Sequence, residues 1–401
     1  MAKRTISKIK TLIASVLCLI VGVFGGFAFH TYQTLPDSYI IPKKVQGSQA
    51  GSVVGSINTD IVNDSDLSIH FIELGNKYTG DCTLIKIGNT EMLIDAGSKE
   101  SSIPAIKSYL DTYVTDGALE YVVVTHAHQD HYAGFASYDE NGSIFDYYTI
   151  GTIIEFAQTY KEATSGIHKR YEEQKADAVA DYGTSVFTAL QCYRNNGHIS
   201  NGRVAERYFE LGEDTGVFCE ILYHKFYESE NKAEAHSENN FSVCLQIIQG
   251  EKKYLFTGDL EAEGESSLVD ENTSSLSKVE LYKAGHHGSK TSTSTKLLSI
   301  INPEVICVCC CAGSSEYTTK NENQFPTQEF INRVYANNPS TRVYVTTLCI
   351  DYKTAKFESF NGNIILCSSG TTNTDVDVYC SNNGLELRDT DWFKANRTLT
   401  I

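Results

Sequence analysis

Apolar stretches that are alternating or continuous recur along the chain and predict β-strands. A first group comprises LSIHFIEL, CTLIKIG, EMLIDAG and YVVV, and a second group comprises VFCEILYH, FSVCLQII and KKYLF. Further strand patterns (ELYKAG, EVICVCC, RVYVTT) then alternate with helical ones (TSTKLLSII, TQEFINRVYA), and residues 101–113 also have helical spacing. Residues 155–210 carry no motif and are predicted to be largely helical or irregular. Two sheet-rich groups, each followed by helices, predict an α+β fold with two packed sheets and helices outside.

The N-terminus carries a membrane-targeting pattern. Four basic residues, Lys3, Arg4, Lys8 and Lys10, precede an uncharged apolar run over residues 11–29. About 20 apolar residues span a bilayer, and basic residues on the leading side place the N-terminus in the cytoplasm. We therefore predict a single-pass cell-membrane anchor with the C-terminal domain outside. Secretion after signal cleavage is the alternative, less favoured because the run is long and has no small-x-small site.

The composition divides the remainder into three parts. Residues 30–66 are rich in Gly, Ser, Asn and Asp and predict a flexible linker. Residues 67–360 hold all the periodic segments and predict the folded domain, and residues 361–401 predict a polar C-terminal appendage. The formal net charge of −17 disfavours a broad electrostatic grip on nucleic acid, although local basic residues or bound cations can offset it near a site.

The chain contains twelve cysteines, and in an exported protein cysteines often form disulfides. Cys307 and Cys309 to Cys311 lie in an apolar run that predicts a buried strand, where free thiols pack as small apolar groups. A zinc site there is the less favoured alternative, because adjacent residues of a strand point to opposite faces. Cys367 and Cys380, in the polar tail, are the predicted disulfide.

Three of the chain's 11 histidines lie within six residues, directly after the strand predicted at 121–124. The cluster consists of His126, His128, Asp130 and His131. Leaving a strand, the first two histidines alternate onto one side, while Asp130 and His131 turn towards a second point. Imidazole and carboxylate are ligands of Zn²⁺ and similar ions, so the cluster predicts a site for two metal ions.

Two later segments place similar chemistry after predicted strands. Asp259 follows the strand in LFTGDLE, although Gly-Asp pairs are also common in turns. His286 and His287 follow the strand in ELYKAGHHGSK and could equally lie in a solvated loop. The next residues, which include Ser289 and Lys290, form a loop able to hold an anion.

These motifs together resemble a known family. THAHQDHYAG resembles the T-H-x-H-x-D-H-x-x-G motif of metallo-β-lactamase fold hydrolases, and LIDAG is similar to the first motif of that family. Four segments, FIELGNKYTGDCTLI, ENNFSVCLQI, LFTGDLE and KAGHHGSKTSTS, resemble the soluble domain of ComEC-type competence proteins and their stand-alone relatives. The resemblance covers about residues 67–350. It implies a four-layer αββα sandwich, here preceded by one transmembrane helix.

The resemblance also implies roles for individual residues. His126 and His128 would bind the first metal, Asp130 and His131 the second, and Asp259 would bridge them. His286 or His287 would complete the second site, with His286 favoured, and Asp95 would support the site from behind. The family's middle histidine is missing from AHSENNFS, where Asn240 or Asn239 is a plausible weaker ligand and His236 could substitute if its loop folds inwards. The resemblance implies two divalent ions, with Zn²⁺ favoured, and the departure at the middle histidine leaves Mn²⁺ as the alternative.

The implied reaction is hydrolysis by water that two metal ions activate. Asp130 would orient the nucleophile, Asp81 would be a supporting group or proton shuttle, and Ser289 and Lys290 would hold a substrate phosphate. We predict an extracytoplasmic phosphodiesterase or nuclease acting on a phosphoester such as DNA or a nucleotide, with no partner protein indicated. The alternatives are a metallo-hydrolase of lactones, thioesters or β-lactams, and a non-catalytic binding or scaffold protein with a degenerate metal site.

Overall fold

The computed structural model describes residue 62 and residues 66–138, 141–229, 235–370 and 376–399. The predicted membrane anchor at residues 11–29, and nearly all of the predicted linker at 30–66, lie outside these ranges. Within the ranges given, no helix combines the length and the apolar character that crossing a bilayer requires.

The first large sheet has eight strands in the order β18-β17-β1-β2-β3-β4-β5-β6. Strands β1 to β3 form an antiparallel meander, and β3 to β6 run parallel. The bounds are β1 Leu67–Phe71, β2 Thr83–Ile87, β3 Thr90–Ile94, β4 Ala118–Val124, β5 Thr149–Glu155, β6 Ser185–Thr188, β17 Ile364–Ser368 and β18 Asp377–Cys380.

The second large sheet also has eight strands, in the order β16-β15-β14-β13-β12-β11-β10-β9. Its central strands β12 to β15 run parallel. The bounds are β9 Tyr208–Glu210, β10 Val217–Leu222, β11 Cys244–Gln249, β12 Lys252–Phe256, β13 Leu281–Lys283, β14 Val305–Ala312, β15 Arg342–Asp351 and β16 Lys356–Ser359. A separate two-stranded pair is formed by β7 Ile199–Ser200 and β8 Arg203–Val204.

The helices of the described ranges lie between the strands, except for the last one, which follows β18, and most are short. They are α1 Ile103–Tyr113, α2 Gln129–Tyr132, α3 Ile144–Tyr147, α4 Gly166–Tyr182, α5 Ala189–Arg194, α6 Ala262–Glu271, α7 Thr295–Ile301, α8 Gln328–Asn337 and α9 Asp391–Asn396. Hydroxyl side chains begin α7 and α8: Ser294 accepts from the backbone N–H of Leu297, and Thr327 from that of Phe330. Such caps satisfy backbone groups that a helix leaves unpaired at its start.

Two apolar cores hold these layers together. The larger core combines side chains from both large sheets, such as Leu84 and Val123 of the first and Leu245 and Cys307 of the second. The smaller core lies between the second sheet and α6, α7 and α8, where Phe330 is fully buried. The α+β sandwich of two packed sheets, predicted from the strand patterns, is therefore confirmed.

Two segments differ from their predictions because their strands are short. Residues 155–210, predicted to be helical or irregular, also supply β6 and β9, which complete one edge of each large sheet. The predicted appendage at 361–401 supplies β17, which lies between β1 and β18, and Leu67 pairs with Ser368. A short apolar run in a polar tail does not by itself indicate that this run pairs with a strand as distant in sequence as β1.

The eleven cysteines of the described ranges form no disulfide with one another. Those of β14 are buried, as predicted, and they alternate: Cys307 and Cys309 face the larger core and Cys310 the smaller one. The pairing predicted between Cys367 and Cys380 does not occur, because the register of β17 and β18 places Cys367 opposite Asp377. The two thiols therefore lie at different ends of the ladder.

Replacement of Leu366 tests whether the C-terminal segment belongs to the cooperative fold. Leu366 is fully buried in β17, so Leu366→Ala should lower the unfolding free energy by about 2–5 kcal/mol. Urea unfolding followed by far-UV circular dichroism measures this loss. The matched control is Val378→Ala, directly opposite on β18 and only half-buried, where a smaller loss is expected. An unchanged midpoint for Leu366→Ala would show that the segment folds separately.

Candidate metal centre

The polar cluster lies at one edge of the sandwich, where four parallel strands end. In the first sheet, β3 leads into Asp95 and β4 leads into the histidine cluster and helix α2. In the second sheet, β12 leads to Asp259 and β13 to His286 and His287. Because carboxyl ends of parallel strands meet at one edge, residues far apart in sequence converge there.

Backbone hydrogen bonds join the loops of the first sheet. The N–H of Asp81 donates to the carbonyl of Asp130 at 3.0 Å, and the N–H of Gly97 donates to that of Asp81 at 2.8 Å. A Cβ atom on Gly97 would lie 1.6 Å from the Asp130 carbonyl oxygen. Only glycine allows this approach, so LIDAG ends in glycine for a packing reason.

Four side chains converge as a potential ligand set: Asp130, His131, Asp259 and His287. The Oδ2 atom of Asp259 lies 3.2 Å from His131 Nε2 and 3.4 Å from His287 Nε2. The Oδ2 atom of Asp130 lies 3.5 Å from His287 Nε2. Within the described ranges, both Nε2 atoms are buried and lack a hydrogen-bond partner. Two carboxylates and two imidazoles with unsatisfied nitrogens fit a divalent cation.

The two imidazoles of this set are held from behind. His131 Nδ1 lies 2.7 Å from Asp95 Oδ2. His287 Nδ1 lies 2.9 Å from the carbonyl oxygen of Cys309 and 3.2 Å from Asp81 Oδ1. Such contacts fix the tautomer and aim each Nε2 atom into the cluster. Asp95 thus occupies the supporting position that the resemblance implied, and Asp81, which is buried, lies behind His287.

His126 and His128 form a second pair beside this group. His126 Nε2 lies 3.0 Å from His128 Nδ1. Burial, together with the nearby His131, lowers the pKa of His126 well below its usual value, so this imidazole is neutral. A neutral imidazole can bind a cation. In the described part of the chain, however, neither histidine belongs to a set of three or more clustered donors.

The structure brings His287, rather than the favoured His286, into the four-residue set. His286 Nε2 is 3.8 Å from Asp259 Oδ2, and its Nδ1 atom lies 2.9 Å from Thr291 Oγ1. Both histidines have left-handed backbone conformations, with φ of 47° and 52°. Spacing along the sequence could not reveal which ring turns inwards. The consecutive left-handed conformations also concentrate backbone strain at the site.

Asn240 does not fill the position of the missing middle histidine. Its Oδ1 atom accepts a hydrogen bond from the N–H of Glu261 at 3.1 Å, and its Nδ2 atom donates to the carbonyl of Ala235 at 2.7 Å. Both ends of the amide therefore have partners in the local loop. His236 is 67% exposed and lies 3.4 Å from Glu263 Oε2, so its loop does not fold inwards.

Asn239 is the better-placed amide. Its Nδ2 atom donates to Glu261 Oε1 at 3.1 Å and lies 3.4 Å from His286 Nδ1. Its Oδ1 atom is buried and, among the residues described, has no hydrogen-bond partner. An amide oxygen without a partner is a potential weak ligand.

A buried lysine, Lys283, lies beneath the cluster and was not predicted. Its ammonium group contacts Asp81 Oδ2, lies 3.7 Å from Asp259 Oδ1 and donates to the carbonyl of Gly258 at 3.2 Å. Burial alone would lower the pKa of Lys283, but Asp81 and Asp259 raise it above its usual value. The available signal was a lysine ending an apolar strand, where a buried cation requires a carboxylate partner.

The predicted anion-binding loop after His287 is internally bonded. Ser289 is buried, and its Oγ atom lies 3.1 Å from Thr291 Oγ1. The guanidinium of Arg333 donates to the carbonyl oxygens of Ser289 and Ser292. Lys290 is exposed, so of the two residues predicted to hold phosphate only Lys290 faces solvent.

A tyrosine that sequence reasoning missed touches the cluster from the solvent side. The hydroxyl of Tyr317 donates to Asp130 Oδ2 at 2.9 Å. Burial of this hydroxyl and the Asp130 carboxylate raise the pKa of Tyr317, so the phenol is a neutral donor. Tyr317 lies in a polar loop without a motif, and no sequence signal points to it.

The fold and this edge cluster define a class of protein. Residues 75–311, more than half of the chain, match the Metallo-beta-lactamase superfamily, and the chain belongs to that family.

Within the family, the chain is similar to competence and recombination proteins. It is 30% identical over 133 residues to Recombination protein 2 of Haemophilus influenzae, which covers 31% of this chain and 16% of that protein. It is 37% identical over 100 residues to Competence protein ComA of Neisseria gonorrhoeae, covering 25% and 13% respectively. The chain thus matches less than a fifth of the length of these relatives. These matches agree with the ComEC-type resemblance of its motifs.

Similar solved structures include the metallo-beta-lactamase fold protein YhfI from Bacillus subtilis. It is 12% identical with a TM-score of 0.42, and the match covers 76% of this chain and all of that one. A long form RNase Z from yeast is 10% identical with a TM-score of 0.37, covering 62% of this chain and 38% of that one.

Adjacent alanine variants test which histidine of the pair binds metal. His287→Ala should remove about one equivalent of metal that survives dialysis, because a tight site needs three or more protein ligands. His286→Ala should retain that equivalent. Elemental analysis of the dialysed proteins measures the difference, and each variant is the control for the other. Loss of metal in His286→Ala but not in His287→Ala would contradict the assignment.

Lys283→Met tests whether the buried ammonium stabilises the metal-free protein. It leaves the Asp81 carboxylate buried without its cation, so the unfolding free energy should fall by about 3–5 kcal/mol. The control is Lys252→Met, an equally buried lysine of the same sheet that donates to the backbone carbonyls of Ser369 and Gly370. There a loss of about 1–3 kcal/mol is expected. Chemical denaturation in chelator measures both, and equal losses would contradict the special role of Lys283.

Proposed function

We propose that this protein is a metal-dependent phosphodiesterase or nuclease whose cofactor is a pair of divalent ions, Zn²⁺ or Mn²⁺. The observation that carries the proposal is the convergence of Asp130, His131 and His287 on Asp259, with His126 and His128 beside them. When bound, divalent ions supply Lewis acidity and an activated water near neutral pH. The names of the relatives, a recombination protein and competence proteins, favour DNA as the phosphoester.

The chain's own residues divide the work by position. Asp130, whose side chain is 20% exposed, is the member of the four-residue set that reaches solvent, so it orients the nucleophile at the mouth of the site. Asp259, at 2% exposure, lies between His131 and His287 at the centre of the four-residue set. Asp95 and Asp81 hold His131 and His287 in orientation. Asp81 therefore acts behind the ligands, and direct proton shuttling to a substrate is not part of the proposal.

The rim beside Asp130 carries cations and aromatic rings, which suit a nucleic-acid strand. Lys99 Nζ lies 3.3 Å from Gln129 Oε1, next to Asp130, and 5.1 Å from the ring centroid of Tyr78. Lys77 Nζ lies 4.2 Å from the ring centroid of Tyr352. Phosphate groups favour such cations and nucleobases favour such rings. These local positive charges offset the net charge of −17 where a substrate would approach.

We further propose that the site faces the outside of the cell, with the chain held at the membrane by residues 11–29. The support is the sequence alone: four basic residues precede a long apolar run without a small-x-small cleavage site. Release after cleavage of that segment would give the same catalytic domain in secreted form.

The test is hydrolysis by the purified full-length chain in detergent, loaded with Zn²⁺ or with Mn²⁺. Bis(p-nitrophenyl) phosphate and a single-stranded oligonucleotide should be hydrolysed, while nitrocefin and a lactone should not. His128→Ala should reduce phosphodiesterase activity by at least roughly 100-fold, because the neighbouring imidazole alone cannot hold an ion.

The control variant is His236→Ala, since His236 is exposed and points away from the cluster; its activity should equal that of the unmodified protein. Hydrolysis of the lactone or nitrocefin instead of the phosphodiesters would show that the protein acts on carbonyl substrates and would contradict the proposal. A protein that binds no metal would be a scaffold, and the enzyme proposal would be wrong.

A further inference from the structure

Tyr317 is a solvent-facing residue that touches the ligand set. Its side chain is 58% exposed, whereas His131 and His287 are fully buried. Its hydroxyl donates to Asp130 Oδ2 at 2.9 Å. The phenol thus lies at the mouth of the site, directly above the ligand-set carboxylate that reaches solvent.

The structure holds this tyrosine in place from two sides. The Tyr317 ring packs on Phe325 at a centroid distance of 5.6 Å, and Phe325 packs in turn against His287 at 5.8 Å. The preceding residue, Glu316, accepts a hydrogen bond from the N–H of Thr79 at 3.0 Å. The loop that carries Tyr317 is therefore tied both to the metal-binding edge and to the loop that contains Asp81.

The position of the hydroxyl suits a hydrogen-bond donor in the reaction. The single O–H of Tyr317 donates to Asp130, and rotation of this hydroxyl about its C–O bond would aim the same donor at a phosphodiester oxygen bound beside Asp130. The buried ammonium of Lys283 lies against Asp81 and does not face solvent, so it cannot serve as this donor. Donors aimed at oxygens that gain negative charge stabilise the transition state.

We infer that Tyr317 is a catalytic residue of the proposed phosphodiester hydrolysis, with two separable functions. Its hydroxyl donates a hydrogen bond to a phosphoryl oxygen, and its exposed ring provides a face on which a nucleobase stacks. Water adds its oxygen to phosphorus, the bond to the leaving oxygen breaks, and a proton from that water reaches the leaving oxygen. Tyr317 keeps its own proton throughout. The inference rests on the proposed function.

The experiment compares Tyr317→Phe and Tyr317→Ala on two substrates with the same leaving group: methyl p-nitrophenyl phosphate and thymidine 5′-(p-nitrophenyl phosphate). Tyr317→Phe should lower kcat roughly 10- to 100-fold on both, the loss expected for one hydrogen bond to a charged group, with KM nearly unchanged. Tyr317→Ala should show the same loss in kcat and a KM raised roughly 10-fold for the thymidine substrate only.

Two measurements accompany the kinetics. Metal content should be the same in all variants, and calorimetry should show weaker binding of thymidine 5′-monophosphate to Tyr317→Ala but not to Tyr317→Phe. The control is Tyr182→Phe, at the end of α4, where the tyrosine is 50% exposed; this variant should behave as the unmodified protein.

The outcomes separate the two proposals. An active unmodified protein whose Tyr317→Phe variant keeps its kcat would overturn the catalytic role alone. Loss of metal together with activity would show that Tyr317 only positions Asp130, which also overturns it. An unmodified protein inactive on both substrates would overturn the proposed function and the role of Tyr317 with it.

Discussion

The candidate metal centre depends on the burial of several carboxylates close together. Four aspartates, Asp81, Asp95, Asp130 and Asp259, meet at one edge of the sandwich, and burial would leave their charges unstable without cations nearby. Lys283 supplies one such charge from below. Burial would lower the pKa of His131, but Asp259 and Asp95 raise it to about 10, so that imidazole also takes up a proton when no metal is bound. A divalent ion that binds here would displace this proton, because a metal-binding imidazole must be neutral.

The sandwich is what allows these charges to meet. Asp259 and His287 come from the second sheet and Asp130 and His131 from the first, so the four-residue ligand set needs both sheets. The N–H of Val243, at the start of β11, donates to the carbonyl of Thr125, which links the two sheets beside the site. The strands fix the position at which each loop begins, and backbone hydrogen bonds between the loops fix their conformation. The ligands are therefore held in place by the two cores, which is the condition for a preorganised centre.

The sequence predicted the class of fold and most of the residues that meet, because strand patterns and clustered histidines are local signals. It could not assign the inward-facing histidine, since two adjacent residues with left-handed backbones diverge in a way that spacing does not encode. Lys283 and Tyr317 were missed for opposite reasons. The first ends an apolar strand, where a lysine indicates that a carboxylate partner is needed but not which one, and the second lies in a loop without any motif. Both became visible only through contacts across more than 180 residues of chain, as in Tyr317 and Asp130.

The pairing of β1 with β17 sets an order for folding. Strand β1 begins at Leu67, yet its neighbour ends at Ser368, so the first sheet keeps an open edge until nearly the whole chain is available. An unpaired strand edge is a template for wrong partners, and contacts so distant in sequence form slowly. A chain synthesised from its N-terminus therefore leaves this edge of β1 unpaired until β17 has been made. The last strands to arrive cover the edge of β1 and leave the four-residue strand β18 in its place as the edge of the sheet.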